Sequence, residues 1–68
     1  MEVTVVYYHW GDWTEDVRVF TDPARANQDV VDMQHQASDN KQPDAEAAIE
    51  WFSEHGTEVT ITECQVIE

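Results

Sequence analysis

Carboxylates are the side chains of this sequence that could do chemistry, because they far outnumber the other reactive groups. Asp12, Glu15 and Asp16 fall around one predicted turn, and Asp29 and Asp32 lie three residues apart on a predicted helix. Paired carboxylates can serve as general acid and base, but the acid needs a raised pKa, which usually comes from burial in an apolar pocket. A chain of 68 residues has little room for such a pocket. We therefore expect a solvated acidic surface and no enzymatic activity.

The other reactive residue types do not form a recognisable site. His9, His35 and His55 lack a metal-ligand spacing, and no pair of cysteines is present to complete one. The single cysteine, Cys64, follows Glu63, whose negative charge opposes formation of a reactive thiolate. Only 2 glycines occur, so a glycine-rich phosphate loop cannot form. We expect neither a cofactor nor a metal.

The charge balance limits the classes of partner. The sequence has 15 Asp and Glu residues against 3 Lys and Arg residues, for a net charge of −12. Nucleic acids and anionic membranes attract proteins through Lys and Arg, so we expect direct binding to neither. The apolar stretch within residues 3–10 is far shorter than the roughly 20 residues that span a bilayer. Met1 and Glu2 begin no basic segment of a secretory signal, which predicts a cytoplasmic location.

Local patterns predict a β-hairpin, two helices and a closing strand. Alternation of β-branched and aromatic residues marks the strands. Thr21-Asp22-Pro23 and Asp44 are typical helix starts, and Gly56 is a typical helix end. One apolar stripe is predicted on each helix: Ala26, Val30, Met33 and Ala37 on the first, and Ala45, Ala48, Ile49 and Phe52 on the second. The predicted strands are residues 2–9, Glu15–Phe20 and 57–67, and the predicted helices run from Pro23 to about residue 37 and from Asp44 to Gly56.

Strand parity gives the hairpin register. A two-residue loop would set Val5 opposite Arg18, whereas a loop with an odd number of residues sets Val5 and Tyr7 opposite apolar partners. We therefore predict the odd loop, with one consistently apolar face toward the core. The residues assigned to that core side are Val3, Val5, Tyr7, Trp13, Val17, Val19, Val59 and Ile61, with Phe52 from the second helix.

The assembled prediction is a single α+β domain over residues 1–68. Its element order is β-β-α-α-β, giving a three-stranded, mainly antiparallel sheet with two helices on one face. The third strand could join the first or the second. The uncovered face is predicted to carry Thr4, Val6, Tyr8, Trp10, Phe20, Thr60, Thr62, Cys64 and Val66. Monomers seldom expose a large apolar patch, which favours a homodimer or a docked partner at this face; alternatively, its threonines dilute the patch enough for water.

The whole chain resembles, in outline, small acidic α+β proteins of phages and bacterial mobile elements, including anti-CRISPR and anti-restriction proteins. The resemblance lies in the strand ending Tyr7-Tyr8-His9-Trp10, the return strand over residues 14–20, the helix start at Asp22-Pro23 and the closing strand over residues 59–63. No specific motif is shared, so no residue role transfers. The resemblance implies binding: many such proteins block the nucleic-acid surface of a defence complex, and others hold subunits apart. Uncharged Gln and Asn between residues 27 and 42 interrupt the acidic row that DNA mimicry requires.

We therefore expect a non-catalytic, acidic protein-binding module, such as a phage or mobile-element inhibitor that binds a basic, nucleic-acid-binding surface of a host defence complex in the host cytoplasm. Opposite potentials would steer this association. The alternative is a haloadapted intracellular protein that forms a homodimer through its open sheet face. The predicted contacts are two aromatic anchors and five carboxylates: Tyr8, Trp10, Asp12, Glu15, Asp16, Asp29 and Asp32.

Overall fold

The chain folds into the five predicted elements. The computed structural model describes residues 1–67. Its elements are β1 (Glu2–His9), β2 (Glu15–Phe20), α1 (Pro23–Ala37), α2 (Ala45–Glu54) and β3 (Glu58–Gln65). The predicted α+β class and β-β-α-α-β order are confirmed. No helix within these 67 residues is long and apolar enough to cross a membrane.

The three strands form an antiparallel sheet in the order β2-β1-β3, so the third strand joins the first. β1 suits the centre because its residues between Glu2 and His9 are all uncharged and mostly β-branched or aromatic. Charges are concentrated on the edge strands, as with Arg18 on β2 and Glu63 on β3. Charged edge strands oppose pairing with the strands of other chains.

The hairpin has the predicted register. Val5 pairs with Val19 and Tyr7 pairs with Val17. The loop between the strands covers residues 10–14, an odd number, as predicted. Directly opposed residues of an antiparallel pair point to the same face, so these four apolar side chains share one side of the sheet.

The helices nevertheless cover the other side of the sheet, and the predicted assignment of the two faces is wrong for β1 and β2. Val6 and Tyr8 are fully buried in the core beneath the helices, whereas Val17 and Val19 are each 60% exposed. Thr4 is also buried here, and Phe20 packs against the core. Alternation could not select the face, because β1 is apolar on both sides.

β3 adds its apolar residues to the side that the helices cover. Val59 lies opposite Tyr8, and Ile61 lies opposite Val6. Val59 is buried and Ile61 packs against the core, so the predicted inward direction of these two residues is confirmed. The threonines of β3 point to the other side, where water can hydrogen-bond to their hydroxyls.

Both helices begin at the predicted aspartates. The Asp22 carboxylate accepts a hydrogen bond from the Ala24 N–H (2.9 Å), and Pro23 occupies the first turn, where its missing N–H costs nothing. The Asp44 carboxylate accepts one from the Ala47 N–H (2.8 Å). These caps satisfy N–H groups that have no partner within a helix.

The predicted stripe of α2 is confirmed, and that of α1 is confirmed in part. Ala26 and Val30 are fully buried, but Ala37 is exposed. Gln34 is fully buried and was not expected there. Its side-chain N–H donates to the Asn40 carbonyl oxygen (2.9 Å), and its amide oxygen accepts from the Gln42 N–H (3.0 Å). A buried amide is stable when both ends are paired, so Gln34 ties α1 to the α1–α2 connection.

The two glycines of the chain both adopt a backbone conformation that other residues rarely take, but only one of them is also tightly packed. Gly11 and Gly56 both have positive φ, at +87° and +83°. A Cβ on Gly11 would lie 2.9 Å from the Gly56 carbonyl oxygen, whereas a Cβ on Gly56 meets open space. The hairpin loop therefore packs directly on the turn between α2 and β3.

We expect G56A to lower the free energy of unfolding by about 1 kcal/mol, the ordinary cost of a left-handed alanine. G11A should cost about 1 kcal/mol or more beyond that, because the carbonyl of Gly56 must also move. Urea denaturation of both variants measures the difference. Equal losses would show that the loop does not rest on the α2–β3 turn.

Candidate functional site

The sheet has one face that neither helix covers, which we call the open face. Its side chains are defined by the two strand registers, in which opposed residues point the same way. β1 supplies its centre, and β2 and β3 supply its flanks. The residues of the open face are Val3, Val5, Tyr7 and His9 of β1, Glu15, Val17 and Val19 of β2, and Glu58, Thr60, Thr62 and Cys64 of β3.

An apolar strip runs across the middle of the open face. Val5 lies between Val19 and Thr62, and Tyr7 lies between Val17 and Thr60. Val5 and Tyr7 are half-buried by these neighbours, whereas the flanking valines are 60% exposed. The predicted placement of Thr60, Thr62 and Cys64 on the uncovered side agrees with this register.

The end of the open face nearest the hairpin loop is acidic. His9 pairs with Glu15 on one side and with Glu58 on the other, so both carboxylates flank its ring. Both carboxylates affect the pKa of Tyr7. Hydrogen bonding to the Glu15 carboxylate raises this pKa most, followed by burial and then by the charges of Glu15 and Glu58. No Lys or Arg belongs to the open face.

The hairpin loop, residues 10–14, is closed by its own hydrogen bonds and is called the hairpin tip. The Trp10 N–H donates to the Thr14 carbonyl oxygen across the loop (3.1 Å). The Asp12 carboxylate accepts from both the N–H (3.4 Å) and the hydroxyl of Thr14. The hydroxyl, followed by the N–H, lowers the pKa of Asp12. These hydrogen bonds therefore stabilise the loop backbone on both sides of the residue that lies between Asp12 and Thr14.

That residue is Trp13, and its predicted place in the core is wrong. Its side chain is 98% exposed, and its φ of +77° lies in the left-handed region that residues with a Cβ rarely adopt. Parity assigned it to the core because the prediction extended the strand alternation into the turn. The loop conformation ends the alternation at His9, so parity does not apply to Trp13.

Tyr8 and Trp10 do not lie on the uncovered face, and their predicted placement there is wrong. Tyr8 is fully buried, and its ring stacks on that of Trp10 with centroids 5.2 Å apart. Both rings meet the edge of Phe52, at 6.2 Å and 5.9 Å. Tyr8 therefore belongs to the buried core, and Trp10 packs against that core. In this fold Tyr8 has no surface to offer a partner.

Two of the predicted contact carboxylates also serve the covered side. Asp29 accepts a hydrogen bond from the Tyr8 hydroxyl (2.7 Å) and forms an ion pair with Arg18 (3.2 Å). Asp16 accepts from the indole N–H of Trp10 (3.0 Å). The side chain of Asp29 is only 11% exposed. The Asp29 contacts join α1 to β1 and β2, and the Asp16 contact joins β2 to the hairpin loop.

The seven predicted contact residues therefore separate into three groups. Tyr8, Trp10, Asp16 and Asp29 come together on the covered side. Asp12 and Glu15 stay at the hairpin end of the open face. Asp32 is exposed on α1, where it accepts a hydrogen bond from Gln28 (2.9 Å).

The exposed surface near Asp12 and Glu15 includes residues that the sequence did not select as contacts. Val17 and Val19 were assigned to the core, and Glu58 and His9 were not weighed as contacts. The predicted register contained the needed signal, because it placed the exposed valines on one face; only the side covered by the helices was misassigned. The surface residues near Asp12 and Glu15 that were not selected are Trp13 in the hairpin loop and, on the open face, Tyr7, His9, Val17, Val19 and Glu58.

Metal binding finds no support in the donor arrangement. Within residues 1–67 no three His, Cys, Asp or Glu side chains converge as a metal ion would need. A cleft of about 610 Å³ lies between α1 and the start of α2 and is lined by Asn27, Lys41 and Glu46 among others. Its lining combines small apolar side chains with polar and charged ones.

Substitution of Tyr8 tests its contact with Asp29 on the covered side of the sheet. We expect Y8F to lose about 1–2 kcal/mol of unfolding free energy at pH 7, because Asp29 loses a donor. Burial, followed by hydrogen bonding to Asp29, raises the pKa of Tyr8 above its ordinary 10.0. The neutral phenol therefore stabilises the fold fully below pH 10, and this contribution is lost as the pH rises above 10. The gap between the two proteins should narrow in alkaline urea titrations.

Y7F is the matched control, since it removes the other tyrosine hydroxyl of β1 from the open face. It should change stability at pH 7 by no more than about 0.5 kcal/mol. If Y8F were as stable as the unsubstituted protein at pH 7, the contact between Tyr8 and Asp29 would not be a structural one.

Comparisons with known proteins find no relative of this chain. No protein-family model, curated protein or solved structure matches the chain. What supports a function is the open face, the hairpin tip and the charges around them.

Proposed function

We propose that the protein is a non-catalytic, acidic protein-binding module that docks a basic protein surface on its open face. The observation that carries this proposal is the 60% exposure of both Val17 and Val19 on the sheet face that neither helix covers. A domain of this size buries a modest fraction of its apolar surface. Two bare valines beside Val5 and Tyr7 suit a surface that a second molecule completes.

The shape and composition of the open face suit a protein partner. Its centre is the two cross-strand rows formed by Val5 and Tyr7 with their neighbours, and its hairpin end is polar. Protein interfaces commonly combine an apolar, aromatic centre with a polar rim. The threonines of β3 offer both methyl groups and hydroxyls at the opposite flank.

The negative charge of this protein favours a basic protein as the partner of the open face over a second copy of this chain. Two copies docked through the open face would each bring a net charge of −12. Glu15 and Glu58 lie on that face without a cation beside them, so self-association must overcome like charge. A basic surface would instead be attracted at long range and paired at contact.

The nucleic-acid-binding surface of a host defence complex is the partner that we propose within this class, with the protein acting as a phage or mobile-element inhibitor. Surfaces that grip phosphate backbones are rich in Lys and Arg. Acidic residues outside the open face would add to the attraction. Glu46, Glu50 and Glu54 are exposed at four-residue intervals on α2, which places them in one row along the helix.

The test is capture from a nuclease-treated lysate of the encoding organism or its host, with two bait variants of equal charge. V17K/V19K adds two positive charges to the open face, and Q36K/S53K adds two to exposed positions on the helices. We expect a basic partner to be retained at least about tenfold less by V17K/V19K and within about twofold by Q36K/S53K. Duplex DNA and NaCl raised from about 50 to about 500 mM should both displace it.

Four results would contradict the proposal. Equal loss with both variants would show that net charge matters and the open face does not. Capture of no basic protein by a bait that is folded in dilute buffer would remove the partner. A dimer in sedimentation equilibrium that V17K/V19K dissociates would establish the homodimer instead, and unfolding in dilute buffer would indicate haloadaptation.

A further inference from the structure

The hairpin tip presents an aromatic side chain in a way that core packing does not explain. Trp13 is 98% exposed, and a tryptophan carries one of the largest apolar surfaces of any residue. Its backbone is in the left-handed region, with φ at +77°. Strain and exposure both oppose tryptophan at this position, and such features concentrate where a ligand is bound. Trp is also among the residues most enriched at the energetic centres of interfaces.

The tip is held in place rather than free to fold away. Asp12 accepts two hydrogen bonds from Thr14 on the far side of Trp13. Gly11 packs so closely on Gly56 that a Cβ would lie 2.9 Å from its carbonyl oxygen. A loop whose backbone is fixed before binding loses less entropy when a partner arrives.

A small cleft joins Trp13 to the acidic end of the open face. The cleft measures about 300 Å³ and is lined by His9, Gly11 and Trp13. Glu15 and Glu58 flank His9 in the sheet, so two carboxylates lie beside the cleft. The raised pKa of Tyr7 agrees with this arrangement, since the charges of both carboxylates reach its hydroxyl.

We infer that this end of the molecule receives one arginine side chain of the basic partner, with its guanidinium stacked on the Trp13 indole and its N–H groups donating to Glu15 and Glu58. The inference rests on the proposed function and specifies its partner chemistry. Arginine fits better than lysine because its planar cation stacks on an aromatic face while its forked N–H groups reach carboxylates. Lysine offers a compact charge that cannot do both in one plane.

The probe is a capped pentapeptide with a single central arginine between glycines, compared with its lysine and citrulline counterparts. Titration into the ¹⁵N-labelled protein should shift the Trp13 indole N–H and the His9 and Gly11 amides saturably. We expect binding at least about threefold weaker for the lysine peptide and no saturable shift for the uncharged citrulline peptide.

Three variants locate the binding. E15Q/E58Q should weaken arginine-peptide binding at least about fivefold, whereas E2Q/E63Q removes the same charge from exposed positions toward the other end of the sheet and should stay within about twofold. W13N should abolish saturable binding without lowering the urea midpoint, because asparagine tolerates positive φ. Equal weakening by both glutamine pairs, or shifts spread evenly over the acidic surface, would overturn the inference and leave charge attraction alone.

The inference and the proposed function fail in different ways. If the arginine peptide does not bind but V17K/V19K still prevents capture, the partner docks on the valines and does not use the tip. If the peptide binds at Trp13 but capture is insensitive to V17K/V19K, the tip recognises arginine and the open face is not the docking surface.

Discussion

The contact of Asp29 with Tyr8 and Arg18 joins the first helix to the side of the sheet that the helices cover. Asp29 projects from α1, accepts the Tyr8 hydroxyl at 2.7 Å and pairs with Arg18 at 3.2 Å. A buried phenol and a nearly buried carboxylate are costly without partners and are stabilising with them. This contact therefore couples the central strand, one edge strand and the first helix. In this orientation the side of β2 that carries Arg18 faces the helices, and the side that carries its two valines faces solvent.

The rest of the molecular surface follows from that orientation. The valines of β2 stay bare because the residues that alternate with them, Asp16 and Arg18, point to the covered side, where they bond to Trp10 and Asp29. Of the three Lys and Arg residues, Arg18 thus has its charge engaged within the fold. The open face is left apolar at its centre and acidic at the hairpin end. A basic partner offers what this surface lacks.

Local sequence signals predicted the elements and their pairing, and they could not predict the faces. Asp22, Asp44 and Gly56 act within one turn of the chain, so helix starts and ends could be identified from adjacent residues. The hairpin register followed from parity along two strands. The covered face depends on contacts such as the one between Tyr8 and Asp29, which lie 21 residues apart. β1 is apolar on both sides, and no local rule distinguishes its odd residues from its even ones.

The missing information about which face is covered also explains why the contact residues were predicted only in part. Tyr8 and Trp10 were selected as anchors because parity placed them on the side thought to be open, and that choice reversed when the faces did. Trp13 was missed because a loop residue has no strand parity. Glu15 remains at the surface because its position on β2 points to the open face, and Asp12 remains there because it lies in the exposed hairpin loop. The acidity of the chain was readable from composition, but its arrangement was not.

The orientation of the helices on the sheet is tested most directly by nuclear Overhauser effects between side chains. We expect cross-peaks from the Tyr8 ring and the Val6 methyls to Phe52 and Val30, which share one buried cluster. We expect none from the methyls of Val17 and Val19 to either helix. Cross-peaks from those two valines to α1 or α2 would show instead that the helices cover the opposite face of the sheet.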